Sequence, residues 1–249
     1  MHLRLLLLFL LPLLSACHSV SSDGPVSWVG SQHEAVHNGD SKSKVRLSDL
    51  TPRPHVYAIG PLEDLAGEIT VLDNLPSIAT VDNGQIRTQS SLNHGAAFLV
   101  WTRQAAWTQH LVPDSVRTMD DLAAYLPAAA RDAGLNPDSP FAFRIEGVVQ
   151  SLKFHVITPP ESPTFEAHEK SKFHSQLNNQ PVHMIGFYST KHRGIFTPGN
   201  SDLHIHFVSE NGQLSGHVET VELAPGVQLL LPATESPPAP PLINLHLSN

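Results

Sequence analysis

The chain has 249 residues, of which 41% are hydrophobic and 15% charged, and its formal net charge is −8 with histidine neutral. This length suits one large or two small domains, and the acidic balance argues against a nucleic-acid partner. At mildly acidic pH, the 16 histidines would remove much of the negative charge. The 21 prolines and 15 glycines favour short strands and turns over long helices.

The first residues have the pattern of a secretory signal peptide, which we place at residues 1–16. Arg4 supplies a positive charge, and the apolar run from Leu5 to Leu14 is too short to span a bilayer. The segment Leu14-Ser-Ala-Cys17 resembles a bacterial lipobox, which implies cleavage before Cys17 and lipidation of that cysteine. Ordinary cleavage nearby, which would leave Cys17 as a free thiol, is the alternative.

Lipidation of Cys17 predicts an exported bacterial lipoprotein that is anchored to a membrane, at the periplasmic face or in the outer membrane. Stable anchoring needs more than one acyl chain, because a single chain binds only marginally. His18 stands where a retention aspartate would, which favours the outer membrane in a cell with two membranes. Cys17 is the only cysteine, so no disulfide can form within the chain.

Composition and turn signals divide the rest of the chain. Residues 17–44 are rich in Ser, Gly, His and Asp without periodicity, and they predict a flexible tether. We then expect an N-terminal subdomain at 45–139, a C-terminal metal-binding subdomain at 140–233, and a Pro-rich tail at 234–249. Inside the tether, His33 and His37 are four residues apart, and a solvated tether is a better interpretation of them than a metal site.

Two local signals are clear before the histidine-rich region. Thr118 and Asp121 resemble a capping box, and the apolar residues that follow at helical spacing predict a helix at 119–133. Gly134 can cap its end. The sequence Asp82-Asn83-Gly84 predicts a hairpin turn between two strands.

The most informative stretch lies between Leu203 and Val221. Alternation of apolar and polar residues predicts a strand with His204 and His206 on one face. Asn211-Gly212 predicts a two-residue type I′ turn, which places His206 opposite His217 and His204 opposite Glu219. Three imidazoles and one carboxylate would then converge on one face of the hairpin.

Three histidines with an open fourth position are typical of a catalytic zinc site. A chance His-x-His pair among 16 histidines is the alternative, and the third histidine makes metal binding the better hypothesis. Glu219 either contacts the metal ligands from behind or is a solvated hairpin residue.

Four segments in this order resemble the acetolactate decarboxylase family: Tyr-Ala-Ile-Gly-Pro-Leu-Glu-Asp-Leu-Ala-Gly-Glu-Ile-Thr-Val-Leu at 57–72, Ile185-Gly-Phe-Tyr188, His204-Ile-His-Phe207 and Ser215-Gly-His-Val218. The resemblance implies an α/β (α+β), sheet-rich fold of two packed mixed β-sheet subdomains with few helices, which is often a homodimer. It also implies a zinc ion bound by His204, His206 and His217, with Glu68 near the metal.

The sequence departs from the family at two places. The family has an arginine after the glycine matched to Gly147, and by spacing His155 falls there, while no arginine lies in 145–192. His155 is therefore a catalytic candidate, charged below about pH 6.5 if unperturbed, or else an ordinary core or surface histidine. The family's C-terminal glutamate has no matched position, since only Glu235 lies nearby.

The resemblance implies a metal-dependent carboxy-lyase that converts 2-acetolactate, a small 2-hydroxy-3-keto acid, to acetoin without an organic cofactor. Glu68 would act as general acid or base, or orient the reactants. The alternative is a zinc-binding lipoprotein of the same fold without decarboxylase activity, acting as a small-ligand binding or interaction module. A zinc hydrolase, with Glu219 or Glu68 activating water, is a third possibility.

Overall fold

The computed structural model describes residues 19–50 and 53–234. The predicted signal peptide, the predicted lipidation of Cys17 and nearly all of the predicted tail at 234–249 fall outside the described residues. Within the described ranges, no helix has the length and apolar character needed to cross a bilayer.

The N-terminal half forms a seven-stranded antiparallel sheet in the order β1-β2-β9-β4-β5-β6-β7, with β3 and β8 paired beside it. Its strands are β1 (Ser21–Asp23), β2 (Val26–Val29), β3 (Val45–Arg46), β4 (Val56–Pro61), β5 (Glu68–Leu72), β6 (Leu75–Asp82), β7 (Gln85–Gln89), β8 (Gly95–Ala96) and β9 (Leu99–Arg103). The predicted turn at Asn83-Gly84 is confirmed, because both residues have positive φ and Asp82 pairs with Gln85.

The C-terminal half forms a six-stranded sheet in the order β10-β15-β11-β12-β13-β14. Its strands are β10 (Trp107–Leu111), β11 (Phe141–Ile157), β12 (Lys172–Tyr188), β13 (Leu203–Ser209), β14 (Ser215–Leu223) and β15 (Gln228–Pro232). Because β14 pairs both with β13 and with β11, strands β11 to β14 form a closed ring of pairings. This closure brings residues of β11, β13 and β14 side by side.

The helices are few and short. They are α1 (Gln32–His37), α2 (Leu47–Leu50), α3 (Met119–Asp132) and α4 (Phe165–Lys170), with a 3₁₀ turn at Glu63–Leu65. The predicted helix at 119–133 is confirmed as α3, and its first turn has the predicted capping box between Thr118 and Asp121. The sheet-rich fold with few helices is likewise confirmed.

The sheets differ in one respect from the expectation. The resemblance implied mixed sheets, whereas all the strand pairs described within both large sheets are antiparallel. Short connections explain many of these pairs, since a parallel pair needs a long crossover. The division between the sheets lies between Arg103 and Trp107, earlier than the predicted boundary at 139/140, because β10 pairs with β15.

The flexible tether predicted at 17–44 is wrong for residues 21–37. Strand β2 pairs with β9 in the seven-stranded sheet, and Val26 and Val29 are buried. Helix α1 follows, with Ala35 and Val36 buried on one side. The few apolar residues of this segment are enough to anchor it. The segment is too short to show the periodicity from which a strand or a helix is predicted.

The two large sheets pack against each other and share a core. Tyr57, Ile59 and Val100 of the first sheet contact Ile185 and Phe187 of the second. Polar residues also meet across this boundary, where the Ser77 and Ser215 hydroxyls lie 2.9 Å apart. The boundary therefore brings β5 and β6 against the histidine-bearing strands.

Candidate metal centre

The histidine hairpin has the predicted register. His206 pairs with His217, Phe207 with Gly216 and Val208 with Ser215. The turn itself differs from the prediction, since Gly212 has positive φ but Asn211 does not. The loop is therefore longer than a type I′ turn. The register is kept because the Ser209 amide donates to the Leu214 carbonyl across the loop, with a distance of 2.8 Å.

His204, His206 and His217 converge as the sequence predicted. One ring nitrogen from each lies within 4.8 Å of the others, a grouping able to hold a metal ion. The Nε2 atoms of His204 and His206 are 3.1 Å apart, and these two residues are buried. Three imidazole nitrogens in such a group are the donor set of a catalytic zinc site.

The opposite nitrogens of two of these rings have partners. Nδ1 of His204 lies 2.7 Å from the Phe196 carbonyl oxygen, to which it donates because a carbonyl only accepts. Nδ1 of His206 lies 3.2 Å from the hydroxyl of Thr70, a buried residue of β5. These contacts fix the ring orientations, and the proton on Nδ1 of His204 leaves a lone pair on its Nε2, which faces Nε2 of His206 and suits a metal ligand.

Burial keeps the three imidazoles neutral. Desolvation lowers the pKa of His204 to about 4 and the pKa values of His206 and His217 well below their ordinary value. A metal ion binds the unprotonated ring, so proton competition at neutral pH is weak. Donor type, spacing and protonation state all fit a divalent cation.

Glu68, which the resemblance placed near the metal, lies beside His206 and His155. Its carboxyl oxygens are each 3.7 Å from a ring nitrogen, one from Nε2 of His206 and one from Nε2 of His155. The Ile157 amide donates to Glu68 over 3.4 Å. Burial raises the pKa of Glu68 to about 8, so in the metal-free site this acid holds its proton at neutral pH.

His155 is a buried member of this site rather than a surface histidine. Its ring stacks on His217 with centroids 4.6 Å apart, and the two residues are paired between β11 and β14. Burial lowers the pKa of His155, so the positive charge expected below about pH 6.5 is not favoured there. His155, which spacing alone matches to the family's arginine, is therefore not favoured as a cation.

Glu219 does not pair with His204 as predicted. Beyond His217, β14 follows β11 instead of β13, with a register shift between Lys153 and Phe154. The Glu219 carboxylate contacts Nδ1 of His155 and Nδ1 of His174, both at 3.1 Å. The hydrogen bond from His155 is the main reason that the pKa of Glu219 falls to about 2.

These contacts leave a cavity of about 400 Å³ beside the histidines. Its lining includes Glu68, His155, His204, His217 and Glu219. Sequence reasoning missed several further residues of the site, which are Thr70, His168, Lys172, His174 and the carbonyl of Phe196. They lie far from the histidine hairpin in the chain or act through the backbone, so no local motif marks them.

Fold and site together define a sheet-rich protein with a cluster of three histidines able to hold a metal ion and an adjacent buried carboxylic acid. The sequence profile described as alpha-acetolactate decarboxylase matches residues 30–235, and the chain belongs to this family. No curated protein sequence is similar enough to the chain to count as a match.

Solved structures of similar fold agree with this assignment. Alpha-acetolactate decarboxylase from Bacillus subtilis strain 168 has a TM-score of 0.67 and 18% identity, over 82% of this chain and 84% of the other. The acetolactate decarboxylase from Bacillus subtilis subspecies spizizenii gives 0.66 at the same identity and coverage. A Staphylococcus aureus protein of unknown function, similar to the decarboxylase, gives 0.62 at 14% identity, over 78% and 79%.

Proposed function

We propose that the protein decarboxylates 2-acetolactate to acetoin with a zinc ion held by His204, His206 and His217. The observation that carries this proposal is the position of Glu68, a buried carboxylic acid 3.7 Å from the metal-facing nitrogen of His206. A divalent ion held there would act as a Lewis acid toward the ketone and hydroxyl oxygens of the substrate.

The reaction needs a proton as well as a metal. Loss of CO₂ breaks a carbon–carbon bond and leaves its electron pair on the substrate, and one proton must then be added to give acetoin. In the metal-free site, burial raises the pKa of Glu68 to about 8. Glu68 is the buried carboxyl group beside the proposed metal position, and we assign it the role of proton donor.

A chain of polar side chains connects Glu68 with solvent. Nδ1 of His155 donates to Glu219, which leaves the lone pair of Nε2 directed at Glu68 across 3.7 Å. Glu219 in turn contacts His174, whose side chain is 57% exposed. In this arrangement Nε2 of His155 faces the protonated Glu68 as an acceptor, and the row of polar side chains ends at solvent.

One observation favours a second candidate function, a metal-binding family member without decarboxylase activity. No arginine is found among the described residues that line the cavity, and the matched position carries the neutral His155. Glu235, which lies near the position of the family's C-terminal glutamate, is outside the described residues. A protein of this kind would bind the metal and a small hydroxy acid without turnover.

Acetoin release from racemic 2-acetolactate separates the two candidates. The purified protein is assayed after its metal content is measured, beside Glu68→Gln, His204→Ala and a control, His183→Ala, whose ring lies on the surface with Glu146 and Glu210. We expect turnover by the wild type and the control, and loss of at least about 100-fold in the two site variants. Full metal occupancy without turnover from pH 5 to 8 would leave the non-catalytic candidate.

Membrane anchoring and dimer formation remain parts of the proposal that rest on the sequence alone. Lipidation at Cys17 would place the protein on the periplasmic face or in the outer membrane. Mass spectrometry of the N-terminal peptide, with Cys17→Ala as the control, tests for the acyl groups. Light scattering of the purified protein tests for a homodimer.

A further inference from the structure

The charge balance of the cavity raises a question about the substrate carboxylate. Among the described residues that line it, Glu68, Asp120 and Glu219 are acids, and Lys172 is the only lysine or arginine. A substrate that loses CO₂ enters with a negative charge, and a carboxylate leaves water readily only where a cation or several hydrogen-bond donors meet it. Within the described lining, Lys172 is thus the one cationic side chain of fixed charge that can meet the carboxylate.

Lys172 is held close to the reacting groups by the backbone. It begins β12 and pairs with Ile157 of β11, the residue whose amide donates to Glu68. Lys172 lines the same cavity as Glu68, His155 and His217. Its ammonium group is therefore placed beside the groups that surround the proposed metal position.

The ammonium group of Lys172 also has N–H donors with which it can bind a ligand. Nζ lies 2.6 Å from Oε1 of Glu169, and the Lys172 side chain is 16% exposed. One contact uses one of three N–H donors, so two remain. Glu169 is itself 44% exposed and can turn to solvent, because such half-exposed ion pairs are weak.

Lys172 lies at the border between two cavities. A second cavity of about 910 Å³ lies between α1, α4 and the loop around Gly194, and Lys172 lines both cavities. His168 also lines both. An anion that passes from the larger space toward the histidines therefore meets Lys172 on its way.

We propose that Lys172 binds the carboxylate of the substrate and makes the site selective for 2-hydroxy acids over their uncharged analogues. This inference rests on the proposed function for the identity of the ligand. Lys172 supplies the cation that His155 does not, from a different strand of the same sheet. It acts on binding and orientation, and it does not take part in the proton transfer.

Direct binding of a non-reacting probe tests this. The protein with one metal ion per chain is titrated by ligand-observed NMR with 2-hydroxy-2-methylpropanoate, which lacks the ketone, and with its neutral amide. Lys172→Met removes the charge, Lys172→Arg retains it, and Lys170→Met is the matched control, because Lys170 is exposed and pairs with Glu166 outside both cavities. Acetoin release is measured in parallel.

We expect Lys172→Met to weaken binding of the acid by about 10- to 100-fold without changing binding of the amide. Lys172→Arg and Lys170→Met should stay within about threefold of the wild type. Equal loss of acid and amide, no loss, or a wild type that does not bind the acid would overturn the proposal. Selective loss of the acid in a protein that releases no acetoin would support Lys172 while contradicting the decarboxylase.

Discussion

His155 and Glu219 are joined by a hydrogen bond of 3.1 Å between Nδ1 and Oε1, and the same imidazole stacks on the ring of His217, a candidate metal ligand. The bond fixes the tautomer of His155, because the carboxylate can only accept. It also links the strand that carries His217 to the buried acid Glu68 on the opposite sheet. Glu219, which lines the cavity, thus determines which ring nitrogen of His155 carries the proton.

Glu219→Gln tests the importance of this bond for turnover. The amide can donate as well as accept, so His155 loses the negative charge that fixes its tautomer. We expect kcat to fall by about 10- to 100-fold while metal content is unchanged, since Glu219 is not a metal ligand. Glu222→Gln on the same strand, where Glu222 pairs with Arg117, is the control. An unchanged kcat would show that the contact is only structural.

Thr70→Val tests how the metal ligands are oriented. The Thr70 hydroxyl is the described side-chain partner of Nδ1 of His206, and valine keeps its shape without the oxygen. We expect metal affinity to fall by about 10-fold, against a much larger loss in His206→Ala. Competition with a chelator gives both values, and the exposed Thr108→Val serves as control. Equal affinity in Thr70→Val and wild type would contradict the assigned role of Thr70.

Glu68→Gln should stabilise the metal-free protein at alkaline pH. The folded pKa of about 8 lies above the ordinary value of 4.5, so the stability contributed by the neutral acid is full below pH 4.5. It is lost as pH rises toward 8, because the unfolded chain ionises first. Glutamine does not ionise, and we expect a gain on the order of 4 kcal/mol at pH 8 that vanishes near pH 4.

Urea unfolding of both proteins after metal removal measures this difference. Titration of the buried histidines affects both proteins, so the difference between them isolates Glu68. A constant difference across the pH range would mean that Glu68 is ionised in the folded metal-free protein.

Gly60→Ala tests the close packing of β4 against the backbone at Phe98. A Cβ at Gly60 would lie 2.3 Å from the backbone oxygen of Phe98, whose residue lines the cavity. Strand β9 would have to move, so we expect a loss of about 1–3 kcal/mol in stability together with reduced metal affinity. Gly199→Ala, where a Cβ meets nothing within 4 Å, should leave both unchanged. Thermal unfolding and chelator competition provide the two readings.

The sequence predicts the hairpin well because local rules govern it. A side-chain period of two and a strong turn signal place His206 opposite His217, even though the turn is longer than predicted. The same register fails for Glu219, since a bulge and pairing with β11 determine the course of β14 there. Local periodicity contains no information on that long-range pairing.

Other parts of the site depend on contacts between distant segments. Thr70 reaches His206 across the boundary between the two sheets, and Lys172 reaches the cavity through its pairing with Ile157. No local pattern marks either residue. The N-terminal segment was not predicted for a different reason, because its apolar run Val26-Ser-Trp-Val29 is short and the burial of the two valines depends on pairing with β9.

The most direct test of the central claim is acetoin release from 2-acetolactate by one protein sample before metal removal, after removal with a chelator, and after zinc is restored. The account predicts turnover that disappears with the metal and returns with about one zinc ion per chain. It also predicts that His204→Ala shows no recovery. Turnover that survives metal removal, or none in the fully zinc-loaded wild type, would contradict it.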